Sequence, residues 1–384
     1  MKRICVFALL FFCVCAAIMA GNLPIKVYAM PEVTIEAKSA VLVDYKSGEI
    51  LFSQNSDEKL EIASMVKLMT IYLTIEAIEN GDISLEDTLV ASVNASSMGG
   101  SQVFIDEGAS YSVEKMLQSV IMASANDASV ALSEYICGTE KAFVEKMNQK
   151  AKEFGMHSTQ YANATGLPAP MQFSTAKDTA IILSKLVPNP IYHKYSSVWI
   201  DELIHPSGRK TELVNTNKLT RYYKGCDCGK TGFTDEAGYC LASSATKGNM
   251  RLIAVVMGAK TAKTRFNESV KLLNYGFSNF QSVTVLDSTL PQGEITVLRS
   301  NENTASVFAK ESFSTVCKIG EKPMFDIHLD IKKSVTAPMQ KDDIVGLVTI
   351  SKEGKVIKEI PLVLKEDINS LTFKEAYKKA ISAW

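Results

Sequence analysis

The sequence predicts an α/β (α+β) domain followed by a small all-β domain. At 384 residues the chain is longer than one compact core usually requires, and 46% hydrophobic with 22% charged residues is typical of globular proteins. Helix and strand patterns alternate up to about residue 280, whereas strand patterns dominate from 281 to 370. The change in pattern predicts a domain boundary near residue 280.

The first domain, predicted over residues 30–280, opens with a β-hairpin and a buried helix. Residues 39–45 and 49–53 are typical of strands flanking the turn Lys46-Ser47-Gly48. Residues 63–79 carry apolar side chains around most of a helical surface, which is typical of a buried helix. Further helices are predicted over 113–124, 128–136, 141–154 and 263–277, and strands over 240–244 and 250–257.

The second domain, predicted over residues 281–370, has about a hundred residues, a normal domain size. Residues 325–331 alternate apolar and polar side chains without a break, which predicts a strand with one face in water. Residues 344–350 and 355–364 have a similar pattern. Gly, Asp and Pro residues between these segments indicate turns.

The charge balance argues against a nucleic-acid partner. Lys and Arg total 41 against 42 Asp and Glu, which gives a formal net charge of -1. A protein that binds nucleic acid needs a cationic surplus to neutralise phosphates, and this chain has none.

The first 29 residues predict a secretory signal peptide. Lys2 and Arg3 precede an uncharged apolar run over residues 4–19, and small residues then offer cleavage near residue 20 or 29. The run is shorter than the roughly 20 residues that a spanning helix needs, so a permanent anchor is the lesser interpretation. A buried core helix is the other alternative. We therefore expect an exported protein.

The cysteines predict free thiols rather than a disulfide framework. Three of the 8 cysteines lie in the signal, which leaves Cys137, Cys226, Cys228, Cys240 and Cys317 in the mature chain. An odd number cannot pair completely within one chain. Cys226, Cys228 and Cys240 raise a metal site as an alternative, but a closed zinc site needs four ligands and the nearest histidine, His205, belongs to a different segment. We expect no metal.

Ser64-Met65-Val66-Lys67 stands at the start of the predicted buried helix. A serine hydroxyl is a poor nucleophile until a base removes its proton. Residues three apart share a helix face, so the Lys67 amine can reach the Ser64 oxygen, and burial would favour the neutral amine that accepts a proton. The alternative is an exposed helix start with a solvated lysine.

Two further motifs each have a structural and a chemical interpretation. Ser124-Ala125-Asn126 follows a helical segment, where it predicts either a helix cap or a hydroxyl and an amide that serve catalysis. Lys230-Thr231-Gly232 precedes Phe233 on a predicted strand beside the helix. There the lysine and threonine suit a substrate carboxylate, and glycine lets a substrate backbone lie close. The alternative is a strand that enters a turn.

Together, the three motifs have the order and spacing found in acyl-transferring penicillin-recognising enzymes. The chain resembles the low-molecular-mass penicillin-binding proteins that act as D-alanyl-D-alanine carboxypeptidases, over nearly its whole length. Further segments that carry the resemblance are Ser174-Thr-Ala-Lys-Asp178, Ala237-Gly-Tyr239 and the domain after Phe280. The resemblance implies a β-lactamase/transpeptidase-like fold, in which helices and a helical lobe flank an antiparallel sheet.

The resemblance also implies the chemistry. Ser64 would attack the bond between the last two D-alanines of the peptidoglycan stem pentapeptide while Lys67 takes its proton, and no cofactor is needed. Ser124, Asn126 and Lys230 complete the implied catalytic set, and the implied substrate-binding residues are Thr231, Gly232, Phe233 and Arg265. For Arg265, a solvated charge at a helix start is an equal alternative. β-Lactams are the implied inhibitors.

The sequence departs from the family at one point. Cys228 and Gly229 precede Lys230, where the family usually has glycine and then an apolar residue. A thiol at this place could make the enzyme sensitive to oxidation or alkylation.

There are four rival functions. A transpeptidase differs only in its acceptor, an amine instead of water, and the sequence leaves that activity open. A class A β-lactamase needs a glutamate to activate water, and residues 160–166 contain no acid. A silent wall-binding relative has no chemical need for Ser64, Lys67 and Lys230 together. A Ser-His-Asp hydrolase lacks support because the sequence contains no Gly-x-Ser-x-Gly motif.

Residues 371–384 predict an amphipathic helix that lies on the outer face of the cytoplasmic membrane. On such a helix one side holds Phe373, Ala376, Tyr377, Ala380, Ile381 and Trp384, and the other holds Lys374, Glu375, Lys378, Lys379 and Ser382. Aromatic residues opposite lysines suit the lipid headgroup layer. The alternative is that the apolar side packs on the β domain.

Overall fold

The computed structural model describes residues 33–382. The predicted signal peptide and Trp384 lie outside the described residues. Helices occupy Lys67–Glu79 (α1), Val93–Ser96 (α2), Val113–Met122 (α3), Asn126–Cys137 (α4), Glu140–Glu153 (α5), Ala176–Leu186 (α6), Pro190–Ser196 (α7), Leu219–Tyr222 (α8), Ala262–Asn279 (α9) and Phe373–Ser382 (α10). None of these helices is long and apolar enough to cross a membrane.

The described strands divide between the two predicted domains. Those up to residue 259 are Ser39–Asp44 (β1), Ile50–Gln54 (β2), Thr88–Val90 (β3), Ser110–Ser112 (β4), Ile200–Ile204 (β5), Lys210–Val214 (β6), Cys226–Thr234 (β7), Gly238–Lys247 (β8) and Met250–Ala259 (β9). Those that follow are Phe280–Leu286 (β10), Pro291–Leu298 (β11), Thr304–Ala309 (β12), Phe313–Lys318 (β13), Asp326–Ile331 (β14), Ser334–Thr336 (β15), Ile344–Lys352 (β16) and Lys355–Val363 (β17).

An antiparallel five-stranded sheet of order β2-β1-β9-β8-β7 forms the centre of the first domain. One face packs against α9, where Gly276 lies against the side chains of Leu42 and Leu252. The opposite face, which carries Val41 and Ile253, belongs to the core that also contains α1 and α6. Both faces are therefore covered, and β7 forms one edge of the sheet.

The predicted hairpin, buried helix and later strands are confirmed. The buried helix differs in one detail, because Ala63–Val66 form a tighter 3₁₀ turn before α1 begins at Lys67. No pattern in the sequence predicted α6, α7 or the β5–β6 hairpin. Their apolar periods are short, and their placement depends on contacts with distant segments, such as the bond from Asn215 Nδ2 to the Ser196 carbonyl oxygen (2.8 Å).

The second domain contains a six-stranded sheet of order β14-β16-β17-β12-β11-β15 and a two-stranded sheet of β10 and β13. Its buried core includes Ile295, Val307, Val348 and Ile360. Glu49, in the β1–β2 turn, links the domains: its carboxylate accepts hydrogen bonds from Thr315 Oγ1 (2.9 Å) and Val316 N–H (3.1 Å). The predicted fold class is confirmed.

The strand predicted over residues 325–331 has an exposure that the sequence did not predict. Alternation favoured one buried face, but residues 326–330 of β14 are exposed on both faces. Residues 326–330 lie outside the buried core of the domain, and β16 is the one described strand that pairs with β14, at the edge of the six-stranded sheet.

Candidate active site

Ser64 lies in the 3₁₀ turn, between the buried side chains of Ala63 and Met65. Ala63 has a φ of 46°, a conformation that non-glycine residues adopt rarely and that concentrates at functional sites. The turn leaves Ser64 half-buried, with its Oγ 3.0 Å from the Nζ of Lys67. The predicted reach of the lysine across three residues is therefore present.

Two glycines allow other segments to pack directly on this turn. A Cβ at Gly166, whose φ is +83°, would lie 2.0 Å from the Ala63 carbonyl oxygen and 2.8 Å from Ser64 N. A Cβ at Gly232 would lie 2.6 Å from the Ile62 carbonyl oxygen. Real Cβ atoms do not approach backbone this closely, so glycine at both positions is a steric requirement.

Lys67 is fully buried and surrounded by oxygen atoms. Its Nζ lies 2.6 Å from Asn126 Oδ1 and also contacts the carbonyl oxygen of Thr165. Burial, and next the positive charge of Lys230, hold the pKa of Lys67 well below its ordinary value, although Asp127 acts in the opposite direction. This environment favours a neutral amine.

Ser124 lies in the sharp connection between α3 and α4, and Asn126 is the first residue of α4. Ser124 has a φ of 61° and is buried. The Asn126 side chain donates to the Gly99 carbonyl oxygen (2.7 Å) while its Oδ1 faces Lys67, and its backbone N–H donates to Ser101 (2.7 Å). The N-cap of α4 is Ala125, which makes no side-chain cap bond, so the helix-cap interpretation of this motif is wrong.

Lys230 points from the edge strand β7 into the same cluster. Its Nζ donates to Ser124 Oγ at 2.6 Å and to the Thr231 carbonyl oxygen at 3.1 Å. Burial, and then the charge of Arg265, lower the pKa of Lys230 to about 7. Short contacts therefore form two groups in this cluster: Lys67 with Ser64 and Asn126, and Lys230 with Ser124.

The remaining predicted binding residues line the strand edge. Thr231 is buried, whereas Phe233 is exposed and stacks on Tyr239 with ring centroids 4.2 Å apart. Arg265 is half-buried and donates to the carbonyl oxygens of Gly232 (3.0 Å) and Cys240 (3.4 Å). Among described residues its buried Nε has no hydrogen-bond partner, so this arginine is not a solvated surface charge.

Three residues of the site were not singled out by the sequence analysis: Asp127, Thr165 and Gly166. The Asp127 carboxylate is buried and accepts the backbone N–H groups of Val103 (3.0 Å) and Ile105 (3.2 Å), which fixes the loop behind Asn126. The signal was present for Asp127, since an acid directly follows the Ser-x-Asn motif. Thr165 acts through its backbone, which no side-chain pattern reports.

The Ser174–Asp178 segment holds the loop that carries Thr165 and Gly166. Asp178 Oδ2 accepts hydrogen bonds from Ser158 N–H (2.9 Å) and Thr159 Oγ1 (2.8 Å). Leu60 and Ser174 form a two-way backbone bridge at 2.9 Å, just before the 3₁₀ turn. The loop is thus fixed relative to Ser64 at both of its ends.

The described residues contain one group that could hold a metal, formed by His193, Asp227 and Cys228, with ligand atoms within 4.8 Å of one another. Both oxygens of Asp227 already bind Arg251, at 2.9 and 2.7 Å. Cys226 and Cys240 are not part of this group, and all five described cysteines are free thiols. The proposed alternative of a site built from Cys226, Cys228 and Cys240 is therefore wrong for the described structure.

Comparison with known proteins identifies the family. The D-alanyl-D-alanine carboxypeptidase model matches residues 26–261, and the model of the penicillin-binding protein 5 C-terminal domain matches residues 280–370. D-alanyl-D-alanine carboxypeptidase DacF of Bacillus subtilis is 39% identical over 92% of this chain and 91% of its own length. DacA of Escherichia coli is 32% identical over 96% of this chain and 92% of its own length.

Solved structures agree with this assignment. Penicillin-binding protein 5 of Haemophilus influenzae superposes with a TM-score of 0.72 at 33% identity, covering 89% of this chain and 100% of that chain. Ampicillin-bound penicillin-binding protein D2 of Listeria monocytogenes gives a TM-score of 0.58 at 32% identity, covering 64% of this chain and 100% of that chain. The family predicted from the three motifs is confirmed: the chain belongs to the D-alanyl-D-alanine carboxypeptidases, serine-type peptidases among the penicillin-binding proteins.

Proposed function

We propose that Ser64 is the acylated nucleophile and Lys67 its general base, acting on the terminal D-alanine of peptidoglycan stem pentapeptides. The observation that carries this proposal is the set of three oxygen atoms around Lys67 Nζ. A neutral amine has two hydrogens and one lone pair. Asn126 Oδ1 and the Thr165 carbonyl oxygen accept the two hydrogens, so the lone pair faces the Ser64 hydroxyl and can take its proton.

The other residues act on the leaving group and on the substrate carboxylate. Ser64 Oγ forms a bond to the penultimate D-alanine carbonyl carbon, and the backbone N–H groups of Ser64 and Phe233 stabilise the oxyanion. Ser124 donates its hydroxyl proton to the departing D-alanine amine as the C–N bond breaks, and the proton that Lys67 took from Ser64 replaces it. Lys230, Thr231 and Arg265 bind the terminal carboxylate, and water then hydrolyses the acyl-enzyme.

Charge supports this assignment of the carboxylate. Lys230 is buried near the positive charge of Arg265, and the nearby Asp127 carboxylate is occupied by backbone N–H groups. The cluster therefore has an unmatched cationic character, which an anionic substrate group neutralises. A β-lactam offers a carboxylate beside a reactive carbonyl, so it follows the same path as far as the acyl-enzyme.

Slow deacylation is favoured over β-lactamase activity. Residues 160–166 contain no acid, and the Thr165 backbone contacts Lys67 in that loop. No general base comparable to the β-lactamase glutamate is therefore supplied there. A catalytically silent relative is disfavoured because the contacts of Ser64, Lys67 and Lys230 are all formed.

Ser64→Ala tests the nucleophile. The variant should lose fluorescent-penicillin labelling and D-alanine release without a change in melting temperature, whereas Ser197→Ala, an exposed serine, should keep both activities. Intact-mass spectrometry of the wild-type enzyme should show a long-lived penicillin adduct on Ser64. Labelling of a folded Ser64→Ala protein, or rapid penicillin turnover without an adduct, would contradict the assignment.

We further infer that the enzyme is exported and that α10 attaches it to the outer face of the cytoplasmic membrane. The polar side of α10 packs on the β domain: Lys379 donates to the Ser300 carbonyl oxygen (2.8 Å), and Glu375 accepts from Asn301 (3.0 Å). On the other side Phe373, Tyr377 and Ile381 are 89%, 63% and 59% exposed. The alternative, in which the apolar side packs on the β domain, is thus disfavoured for these residues.

An exposed aromatic row beside Lys374 and Lys378 suits an anionic lipid surface, where the rings enter the headgroup layer and the lysines meet phosphates. Phe373→Ser combined with Tyr377→Ser should strongly reduce sedimentation with anionic vesicles and leave melting and penicillin labelling unchanged. Deletion of residues 371–384 should do the same. Full sedimentation of either folded variant would contradict the anchor.

A further inference from the structure

The outer edge of β14 is open in the described part of the chain. The strand pairs with β16 on one side, and no described strand pairs with the other. Ile327 and Leu329 point to the same sheet face as the buried Ile350 and Val348 opposite them, yet they are 44% and 39% exposed. An edge with exposed apolar side chains is a template for pairing with another strand.

The register with β16 identifies the backbone groups that point outward. The N–H of Lys332 donates to the Val345 carbonyl oxygen, so Lys332 is directed towards β16. Antiparallel ladders alternate, and the even-numbered residues of β14 therefore face β16. The N–H and C=O groups of Ile327, Leu329 and Ile331 point to the open edge, where they can form a second ladder.

We propose that β14 pairs antiparallel with β14 of a second copy of this chain, about a twofold axis at Leu329. In this arrangement Leu329 lies opposite Leu329 of the second copy, and Ile327 lies opposite Ile331. Because these residues have outward backbone groups, they form the hydrogen-bonded pairs. The two six-stranded sheets then join into one continuous sheet.

The charged residues that alternate with the apolar residues of β14 support a second copy of this chain as the pairing partner. With the axis at Leu329, Asp326 lies opposite Lys332 of the second copy, which pairs opposite charges, and His328 lies opposite Asp330, whose carboxylate can accept an imidazole N–H. Opposite charges across a strand pair stabilise it, and like charges destabilise it. The edge is therefore complementary to itself, in charge as well as in apolar pattern.

Neighbouring registers lack this complementarity. An axis at His328 would place Asp326 opposite Asp330, and an axis at Asp330 would place that carboxylate opposite its own copy. An axis between two residues would set outward-bonding residues against inward-bonding ones, which breaks the ladder. Of these registers, only the axis at Leu329 matches the hydrogen bonds and the charges together.

Disulfide trapping tests the register. Leu329→Cys, in a Cys137→Ser, Cys317→Ser background, should give an oxidised dimer, because hydrogen-bonded partners have Cα atoms about 5.5 Å apart. The matched control is Ile327→Cys, whose two copies would lie about 13 Å apart. It should stay monomeric alone and form a dimer when mixed with Ile331→Cys. Absence of the Leu329 dimer, or equal trapping of the two single variants, would overturn the proposal.

Charge exchange tests the complementarity. Asp326→Lys or Lys332→Asp alone should reduce trapping through Leu329→Cys by about tenfold, because each creates two like-charge contacts per dimer. The double variant should restore it. Unchanged melting and penicillin labelling in all three would show that the fold is intact. A double variant that traps no better than the single ones would contradict the pairing.

Discussion

Two edge strands of this protein, β7 and β14, differ in how far neighbouring segments bury them. The open side of β7 is covered by the chain itself, and Cys228 to Gly232 are buried against the 3₁₀ turn and its neighbours. β14 has water on both faces from residue 326 to residue 330. The difference shows that an edge strand enclosed by other segments brings its side chains into one buried cluster, whereas an uncovered edge strand leaves them in water.

Because β7 is enclosed, a substitution in β7 should reduce activity more than a similar substitution in the β domain. Gly232→Ala should reduce the rate of penicillin acylation by about a hundredfold or more, because the new Cβ displaces β7 from the turn that holds Ser64. The matched control is Gly293→Ala in β11, whose Cβ would meet only the terminal Cδ1 of Ile331, at 2.7 Å. Acylation at the wild-type rate in Gly232→Ala would contradict the expected difference between β7 and the β domain.

The activity should also change with pH near neutrality, because Lys230 of β7 titrates there. Burial lowers the pKa of Lys230 to about 7, and in the proposed function its cationic form binds the substrate carboxylate. The value of kcat/KM should therefore fall as pH rises through this pKa, by about tenfold per unit. Lys67 must be neutral to act as the base, and burial, which lowers its pKa, favours that form. A pH series of D-alanine release measures this limb. Lys230→Arg, which stays charged, should remove it, and a flat wild-type profile would contradict the role of Lys230.

Burial of that cation costs stability. Lys230 has a pKa of about 7 when folded against an ordinary 10.5, so the unfolded chain binds more protons in this window and stability rises with pH across it. Lys230→Met should be inactive but should raise the free energy of unfolding near pH 7 by about 1–3 kcal/mol. The gain should shrink near pH 10. Urea denaturation at both pH values measures it.

Lys333→Met is the control at the exposed edge. Lys333 is exposed just beyond β14, and its replacement should change the free energy of unfolding by less than about 0.5 kcal/mol at either pH. Equal changes in the free energy of unfolding for Lys230→Met and Lys333→Met would contradict the expected energetic difference between β7 and β14.

The smallest effect is expected at the cysteines of β7. Burial raises the pKa of Cys226 to about 12 and that of Cys228 well above its ordinary value, so neither forms a thiolate readily. Iodoacetamide should modify the half-buried Cys317 of β13 in the native protein, leave the two β7 thiols intact and leave penicillin labelling unchanged. Peptide mass mapping checks this. Loss of penicillin labelling after iodoacetamide treatment would instead support the predicted sensitivity of the Cys228 position to alkylation.

The residues predicted from the sequence are those whose partners are local or whose motifs are distinctive. Lys67 is three residues from Ser64, and helical spacing alone brought them together. Thr165, by contrast, is 98 residues from Lys67 and contacts it through the backbone, so no local pattern reports it. The exposure of Ile327 and Leu329 was missed for a related reason: alternation shows that a strand has two faces, but not that it lies at the edge of its sheet.

The stacked rings of Phe233 and Tyr239 bear on how this enzyme can change under selection by antibiotics. Gly232 lies against the backbone of the turn that holds Ser64, the proposed nucleophile, and Lys230 is bonded within the cluster. Inherited substitutions at either position should therefore damage turnover together with drug binding. Phe233 is exposed and contacts another side chain rather than that backbone. Resistance alleles that keep the enzyme working should therefore accumulate at these two rings, and as correlated pairs, because losing one ring uncovers the other.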